Sequence, residues 1–532
     1  MDLQSPAKAP AKGEAEKAPR KLRSSPWAAL AAVAFGLFMV GLDGSVVSVA
    51  NPYIGAALDT SLSQLQWVTN AYLLALAALL VLGGKLGDRY GRRRFFLIGL
   101  VGFTVTSAII GLVGSIEGVI VFRALQGAFG ALLMPNTLGI LRAVFPPRRF
   151  GIAVGIWAMV SSVSTALGPI IGGALVEQVG WEWVFYINVP IGVIGLVYGL
   201  WVLPETRNST GHHRFDVPGV ILLALGMVAL VFGIVKGESW GWSDGRTYGV
   251  LILGLVLLLV FGLVENRTEH PLLPMRLFRN PSLTVGTLIT AINFFTLLGS
   301  IFFIMLYQQN VRGHSALMAG VLILPLSIAS VVASPVGAAL TDRFGPRLTM
   351  PLGMVLQGAS ALTLMLLAVD SSYHLLWPPF VGLGLGVGMV MAASSEAIVG
   401  NAPVKDAGVA GGLQATALQI GGALGTSVLL SVLGSRAAGT IGSAFTDAGV
   451  PADVGAELTG HARETVALGV ALVPPGADPG LATAITQATG EAFVTGVHAA
   501  AGTAGALCLI GAVVAIVVVR RGQSPVDVPA AH

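Results

Sequence analysis

Two charged residues stand where charge is expensive. Asp43 lies in LDGSVVSVANP, residues 42–52, and Arg123 in VFRALQGAFG, residues 121–130, each within a long apolar run. A charge at the centre of a bilayer costs roughly 2.5–3.5 kcal/mol on insertion scales, so an intramembrane acid or base is expected to be paired or to serve a function. A carboxylate in such a place can bind and release a proton as its surroundings alternate, and Arg123 is a counter-ion from which substrate or motion could part it. The plainer reading of the two is a fixed interhelical salt bridge. Glu396, beside Ser394 and Ser395 at the end of another apolar run, is either a second titrating group or a solvated interfacial one. His498 either titrates or simply hydrogen-bonds. Gln126, Asn293, Gln414 and Gln419 are polar groups suited to line a substrate path, with interhelical hydrogen bonding as the alternative. Tyr72, Trp157, Phe294 and Phe295 are aromatics that can stack on an aromatic or cationic solute, or merely pack.

The elements that carry these residues follow from hydropathy. The chain has 532 residues, of which 54% are hydrophobic and only 11% charged, and a mean hydropathy of +0.81, values that place it in a lipid bilayer. Apolar segments long enough to cross run over 27–50, 65–85, 95–114, 118–141, 150–176, 183–203, 217–237, 247–265, 282–306, 317–340, 348–368, 376–399, 409–434 and 491–519. Fourteen spans put both termini on one side. Lysine and arginine number 24 on that side against five on the other, so both termini are expected in the cytoplasm. The same distribution argues against nucleic acid as the reason for the net charge of +4, because the basic residues sit in short loops and form no single patch. Cys508 is the one cysteine, which excludes an internal disulfide and a thiolate metal site. No cofactor or metal is expected. The polar segment 1–26 reads as a disordered tail.

A repeated turn organises the spans. GKLGDRYGRRR, residues 84–94, places Gly84, Asp88, Arg89, Gly91 and Arg92 between two apolar runs, with Gly91 free to take positive φ. GAALTDRFGPRL, residues 337–348, repeats the order at Asp342, Arg343, Phe344, Gly345 and Arg347. The echoes are eight spans apart, whereas two six-helix halves would separate them by six, so spans seven and eight read as an inserted pair within a duplicated architecture. The expected division is an N-terminal bundle over 27–203, an inserted pair with its loops over 204–281, a C-terminal bundle over 282–519 that includes an outer loop at 435–490, and a tail at 520–532. That outer loop reads equally as short helices over the outer mouth or as a mobile segment. In the fifth span ALGPIIGGAL, residues 166–175, Gly168, Pro169, Gly172 and Gly173 allow a kink or the close approach of a neighbour.

Together these segments resemble the major facilitator superfamily and, within it, the fourteen-helix drug:proton antiporters that include the quaternary-ammonium multidrug exporters. GKLGDRYGRRR is similar to the superfamily's loop 2-3 signature, VFRALQGAFG to its helix 4 signature, and the Gly168, Pro169, Gly172, Gly173 set to the helix 5 signature of exporters. LDGSVVSVANP and WEWVFYINVPIG, residues 181–192, resemble the helix 1 signature and the start of helix 6 in the fourteen-helix group. The chain departs from those patterns at Ser164, Glu182 and Asn51. The resemblance implies an all-α major facilitator fold of two six-helix bundles plus two inserted helices. It implies a proton-coupled exporter of drugs, antibiotics or similar amphipathic molecules, in a bacterial cytoplasmic membrane, working by alternating access; since nothing in the chain advertises a partner surface, a monomer is expected. It assigns proton coupling to Asp43 with Arg123, and closure of the cytoplasmic side to Asp88 and the arginines beside it. A solute symporter and a non-transporting sensor on the same fold are the alternatives. Neither a GxxxxGK[ST] loop nor HExxH occurs, so an enzyme is not expected.

Overall fold

The computed structural model describes residues 25–60, 62–206, 216–241, 244–269, 271–474 and 476–519. The tail up to residue 24, the loop with Arg207 and Arg214, and the end from 520 lie outside them. The chain is an all-helical, multi-pass membrane protein. Among the described residues fourteen helices are long and apolar enough to cross a membrane. Hydrocarbon offers no hydrogen bonds to the backbone, so each apolar run closes its own ladder as a helix, and short polar side chains cap the N-termini of some of them. Ser115 accepts from the Gly118 N–H at 3.3 Å, Asp216 from Gly219 at 2.9 Å and Asn280 from Ser282 at 3.0 Å.

The first bundle consists of α1 (Pro26–Leu58), α2 (Leu62–Tyr90), α3 (Arg92–Ile110), α4 (Ile116–Val144), α5 (Pro147–Gln178) and a sixth span in two pieces, α6 (Trp183–Tyr186) and α7 (Asn188–Val202). The inserted pair is α8 (Val217–Trp240) and α9 (Gly245–Glu265). The second bundle consists of α10 (Pro281–Leu306), α11 (Ala316–Phe344), α12 (Pro346–Thr363), α13 (Tyr373–Ser395), α14 (Ala407–Asp447) and α16 (Pro479–Val518), with α15 (Ala452–Thr465) outside the membrane-crossing set. The two bundles pack alike. α1 lies on α5 as α10 lies on α14, α2 on α4 as α11 on α13, and α3 on α4 as α12 on α13. Between them α5 meets α11 and α2 meets α14, the two contacts that an approximate twofold relation exchanges. α9 packs on α8, which lies against both α2 and α14 and so covers one of the two seams between the bundles.

Much of segment 435–490 is helical and packed. α14 and α16 run past the expected span ends, and with α15 they bury Ile441, Phe445, Val450, Val466 and Ile485 in a cluster of their own. Its alanine-rich sequence favours helix, and these apolar residues gather on facing sides once the helices continue. Residues 237–241 spell GESWG, a Gly-x-Ser-x-Gly string, but they close α8 and have no strand-to-helix turn of the kind that exposes a hydrolytic serine.

Candidate functional site

Asp43 and Arg123 meet inside the first bundle, Asp43 on α1 and Arg123 on α4. Arg123 Nη1 donates to Asp43 Oδ2 at 2.7 Å, and both side chains are buried. Three other groups complete the cage. Gln126 Nε2 and Asn188 Nδ2 both donate to Asp43 Oδ1, each at 3.0 Å. The same two nitrogens donate to Ser107 Oγ, at 3.1 and 2.9 Å, while the Ser107 hydroxyl donates to the Phe185 carbonyl at 3.0 Å. Arg123 is held from the other side by the Val68 carbonyl at 3.1 Å and Gln126 Oε1 at 2.6 Å, with the Tyr72 ring centroid 4.2 Å from its guanidinium carbon. Five of the six helical spans of the bundle thus contribute to one buried charge pair, which low dielectric makes strong and which cannot lose one member without leaving the other unsatisfied.

Two features fix α1 against α5 at this level. A Cβ on Gly168 would collide with Ser45, two residues beyond Asp43, and one on Gly172 would stand 3.3 Å from the Val46 carbonyl. Gly173 has nothing within 4 Å of where its Cβ would be, so it takes no part in this approach. Pro169 lies within α5. Ser164, one of the departures from the exporter pattern, faces Gly41, whose missing side chain leaves it room. Asn51, another, donates to Thr69 Oγ1 at 3.3 Å. On its other side α5 touches the second bundle, where Ser162 and Ser330 hydroxyls lie 3.1 Å apart.

The first of the repeated turns forms a latch at the face where both ends of the described chain lie. Gly91 and Gly345 have φ of +119° and +80°, the conformation for which glycine suits a sharp turn. Asp88 is buried and accepts the N–H groups of Gly408 and Val409, each at 3.0 Å, capping α14 of the opposite bundle. Arg92 donates to Asp88 Oδ1 at 2.7 Å and to the Gly139 carbonyl at 3.2 Å, and it reaches the Val404 carbonyl across the seam. Arg142 makes another crossing bond, 2.8 Å to the Gly400 carbonyl. A Cβ on Gly84 would run into the Gly408 carbonyl, so only glycine permits this closure. Arg89 lies beside the Tyr90 ring, 5.0 Å to its centroid. In the second turn Asp342 and Arg343 are exposed, with the Asp342 carboxylate beside Gly151 near the start of α5. The asymmetry has a cause in the sequence: Pro346 occupies the place that Arg92 holds in the first turn.

The inserted pair is tied to the latch by its connecting strap. Glu265 is buried and accepts the N–H groups of Leu272 and Leu273 at 3.2 Å each; Lys85 donates to the Pro271 carbonyl at 2.6 Å; and Arg276 pairs with Asp406 at 2.9 Å.

The residues considered for a substrate path divide. Gln126 and Tyr72 belong to the cage. Trp157 is buried and its indole donates to Thr137 Oγ1 at 2.9 Å, inside the first core. Asn293 is fully buried, with neither side-chain atom hydrogen-bonded, although its backbone carbonyl accepts from Gln357 at 3.0 Å. Phe294 packs against the cores of both bundles. Gln414 Nε2 donates to Ser395 Oγ at 2.5 Å and its Oε1 has no partner, while Gln419 is half-buried. Glu396 is half-buried, with Oε2 unpartnered, near enough to Arg142 to interact electrostatically. His498 Nε2 bonds to the Leu367 carbonyl at 2.8 Å, a structural role. Sequence reasoning missed Ser107 and Asn188. Asn188 had a signal, an amide inside the apolar WEWVFYINVPIG segment; Ser107 had none beyond being one of several small hydroxyls in α3.

The sequence profile described as Major Facilitator Superfamily matches residues 33–426. The tetracenomycin C resistance and export protein of Streptomyces glaucescens is 44% identical over 498 residues, covering 93% of this chain and 92% of that protein. The multidrug efflux pump LfrA of Mycolicibacterium smegmatis is 35% identical over 500 residues, covering 93% and 96%, and the methylenomycin A resistance protein of Streptomyces coelicolor is 32% identical over 421 residues, covering 78% and 88%. In fold the chain is similar to the human organic anion transporter MFSD10, with a TM-score of 0.60 at 13% identity over 92% of this chain and 99% of that one.

Proposed function

The chain belongs to the major facilitator superfamily, and from there we propose that it is a proton-coupled exporter of antibiotics or similar amphipathic small molecules, seated in a bacterial cytoplasmic membrane with both termini inside. The observation that carries this reading is the Asp43–Arg123 pair, 2.7 Å apart and buried in a five-span cage. The names of the relatives, resistance and export proteins along nearly the whole chain, supply the direction of transport. On this reading the bundles over 27–203 and 282–519 rock about their shared seams, with 204–281 as the insert, and the monomer is the working unit. The Asp88, Arg92 and Arg142 bonds hold the cytoplasmic side shut, so the structure represents the form closed on that side.

A proton arriving from outside binds Asp43, neutralises it and weakens its hold on Arg123. The change reaches the seam through α5, which touches α1 at Gly168 and α11 at Ser162. One charge crossing the membrane potential supplies roughly 2.3 kcal/mol per 100 mV, enough to drive uphill export if each cycle carries one proton or more. Asn293, Phe294, Gln414 and Gln419 are the residues we assign to the substrate path: Asn293 and Gln414 keep unused polar capacity, Phe294 stands where the two cores meet, and Gln419 is half-buried on the same helix as Gln414. Glu396 is assigned a second proton-linked role beside Arg142.

The test is substrate-evoked proton release from energised inside-out vesicles, with tetracenomycin C, methylenomycin A and a panel of lipophilic cations. Release is expected from the wild-type protein and not from Asp43→Asn, which should still insert and fold. Undiminished release from the Asn variant would remove Asp43 from the mechanism, and binding without release for every compound would leave a sensor.

A further inference from the structure

Asn188 holds more hydrogen-bonding capacity than the cage uses. Its Nδ2 donates to Asp43 and to Ser107, while its Oδ1 is buried and has no partner. A buried amide oxygen in that condition is costly, which points to a second state in which the oxygen is engaged.

The cage supplies that second state. Asp43 receives only N–H donors, from Arg123, Gln126 and Asn188, an arrangement suited to an ionised carboxylate. Protonation converts one carboxyl oxygen to a donor, which then needs an acceptor within reach. Gln126 cannot turn to provide one, since its Oε1 is already held by Arg123 at 2.6 Å. Asn188 can. A half-turn of its amide puts Oδ1 where Nδ2 stands, between Asp43 and Ser107, able to accept from the new O–H and from the Ser107 hydroxyl, which must then turn its one proton away from the Phe185 carbonyl. Each orientation leaves one amide atom unpartnered, and the flipped one also takes the Ser107 proton from the Phe185 carbonyl, so the donor orientation holds while Asp43 is ionised and the acceptor orientation is favoured only once a proton sits on Asp43.

The charged and titratable groups facing this amide are Asp43 from α1, Arg123 from α4 and, through its ring against Arg123, Tyr72 from α2. α3 and α6 contribute Ser107 and Phe185, which carry no charge. The only bond made or broken in the step is the O–H formed when the proton adds to the carboxylate.

We propose that Asn188 is the positioning residue that lets the cage accept a proton on Asp43, donating to the carboxylate in one state and accepting from the carboxylic acid in the other. The inference rests on Asp43 being the proton-coupling group. Its test is infrared difference spectroscopy across a pH jump on the full chain in membranes, with asparagine isotopically labelled, beside the pH profile of substrate-evoked proton release. In the wild type an asparagine side-chain amide band should shift together with the carboxylic acid band that Asp43→Asn removes. Asn188→Leu, close in volume but without donor or acceptor, should abolish the amide change. It should also move the half-maximal pH of release upward by about one unit, a tenfold change, because the bond to the charged form is the stronger of the two lost. Asn188→Thr, whose hydroxyl both donates and accepts, should return the midpoint most of the way. An Asp43 acid band that titrates with no accompanying asparagine change overturns the inference and leaves the proton site standing, as does a Leu variant with an unmoved midpoint. Absence of any Asp43 acid band overturns both.

Discussion

Replacing Asp88 by Asn tests the latch with nearly constant volume. In the closed form Asp88 accepts two bonds that cross between the bundles, from Gly408 and Val409, and one within its own bundle from Arg92. Only the crossing bonds depend on closure. An amide can accept at one of its two positions, so one crossing bond is lost, and the other loses its negative charge at the α14 N-terminus. Hydrogen bonds to charged groups contribute about 1.5–3 kcal/mol, so a loss near 2 kcal/mol is expected, which shifts the open-to-closed ratio roughly thirtyfold. Because Cys508 is the sole cysteine and is buried, Cys508→Ser provides a background for spin labels at the exposed positions 94 and 348, one on each bundle. Pulsed dipolar measurements should then give a longer-distance population in Asp88→Asn whose ratio to the short one has risen by that factor. Asp342→Asn, at the exposed turn, should change the ratio little, since exposed charge contacts contribute only about 0–1 kcal/mol. An unchanged distribution for Asp88→Asn, or equal shifts for the two variants, would refute the argument.

Two further outcomes follow from close packing and from the strap. Gly168→Val should insert and bind lipid normally yet transport at a small fraction of the wild-type rate, because its side chain collides with Ser45 beside the proton site; wild-type flux in reconstituted vesicles would show that α1 and α5 can separate there without cost. Glu265→Ala leaves the buried N–H groups of Leu272 and Leu273 without their acceptor, a destabilisation of about 1–3 kcal/mol for each group left unsatisfied. It should appear as faster protease cleavage within 266–280 while the transmembrane helices stay protected, and an unchanged cleavage rate would mean that the strap is held by Lys85 and Arg276 alone.

Much of this architecture was legible in the chain because hydrocarbon is an exacting solvent. It forces each apolar run into a helix and each arginine-rich turn out of the bilayer, so the span count, the duplicated halves and the inserted pair could be read residue by residue. The same penalty made Asp43 and Arg123 conspicuous as charges with nowhere to go but toward each other. Gly91 and Gly345 were readable as turn residues because their spacing recurs beside an Asp and an aromatic. Helix over 435–490 was only half legible, since an alanine-rich stretch outside the membrane folds or not according to whether its apolar residues find one another.

What the sequence could not carry was rotation and depth. Lipid tails are as apolar as leucine, so a transmembrane helix shows no strong contrast between its lipid side and its bundle side, and the facing of Trp157, Tyr72 or Gln126 cannot be taken from periodicity. Tertiary packing decided that Gln126 and Tyr72 attend the Arg123 cage and that Ser107 and Asn188 join them. It also decided that Asp88 finds its acceptor-seeking helix end 320 positions away. By itself the sequence determined which residues must leave water and which must not. Only the assembled helices determined their partners, since partnership depends on distances of a few ångströms between segments that the chain order keeps far apart.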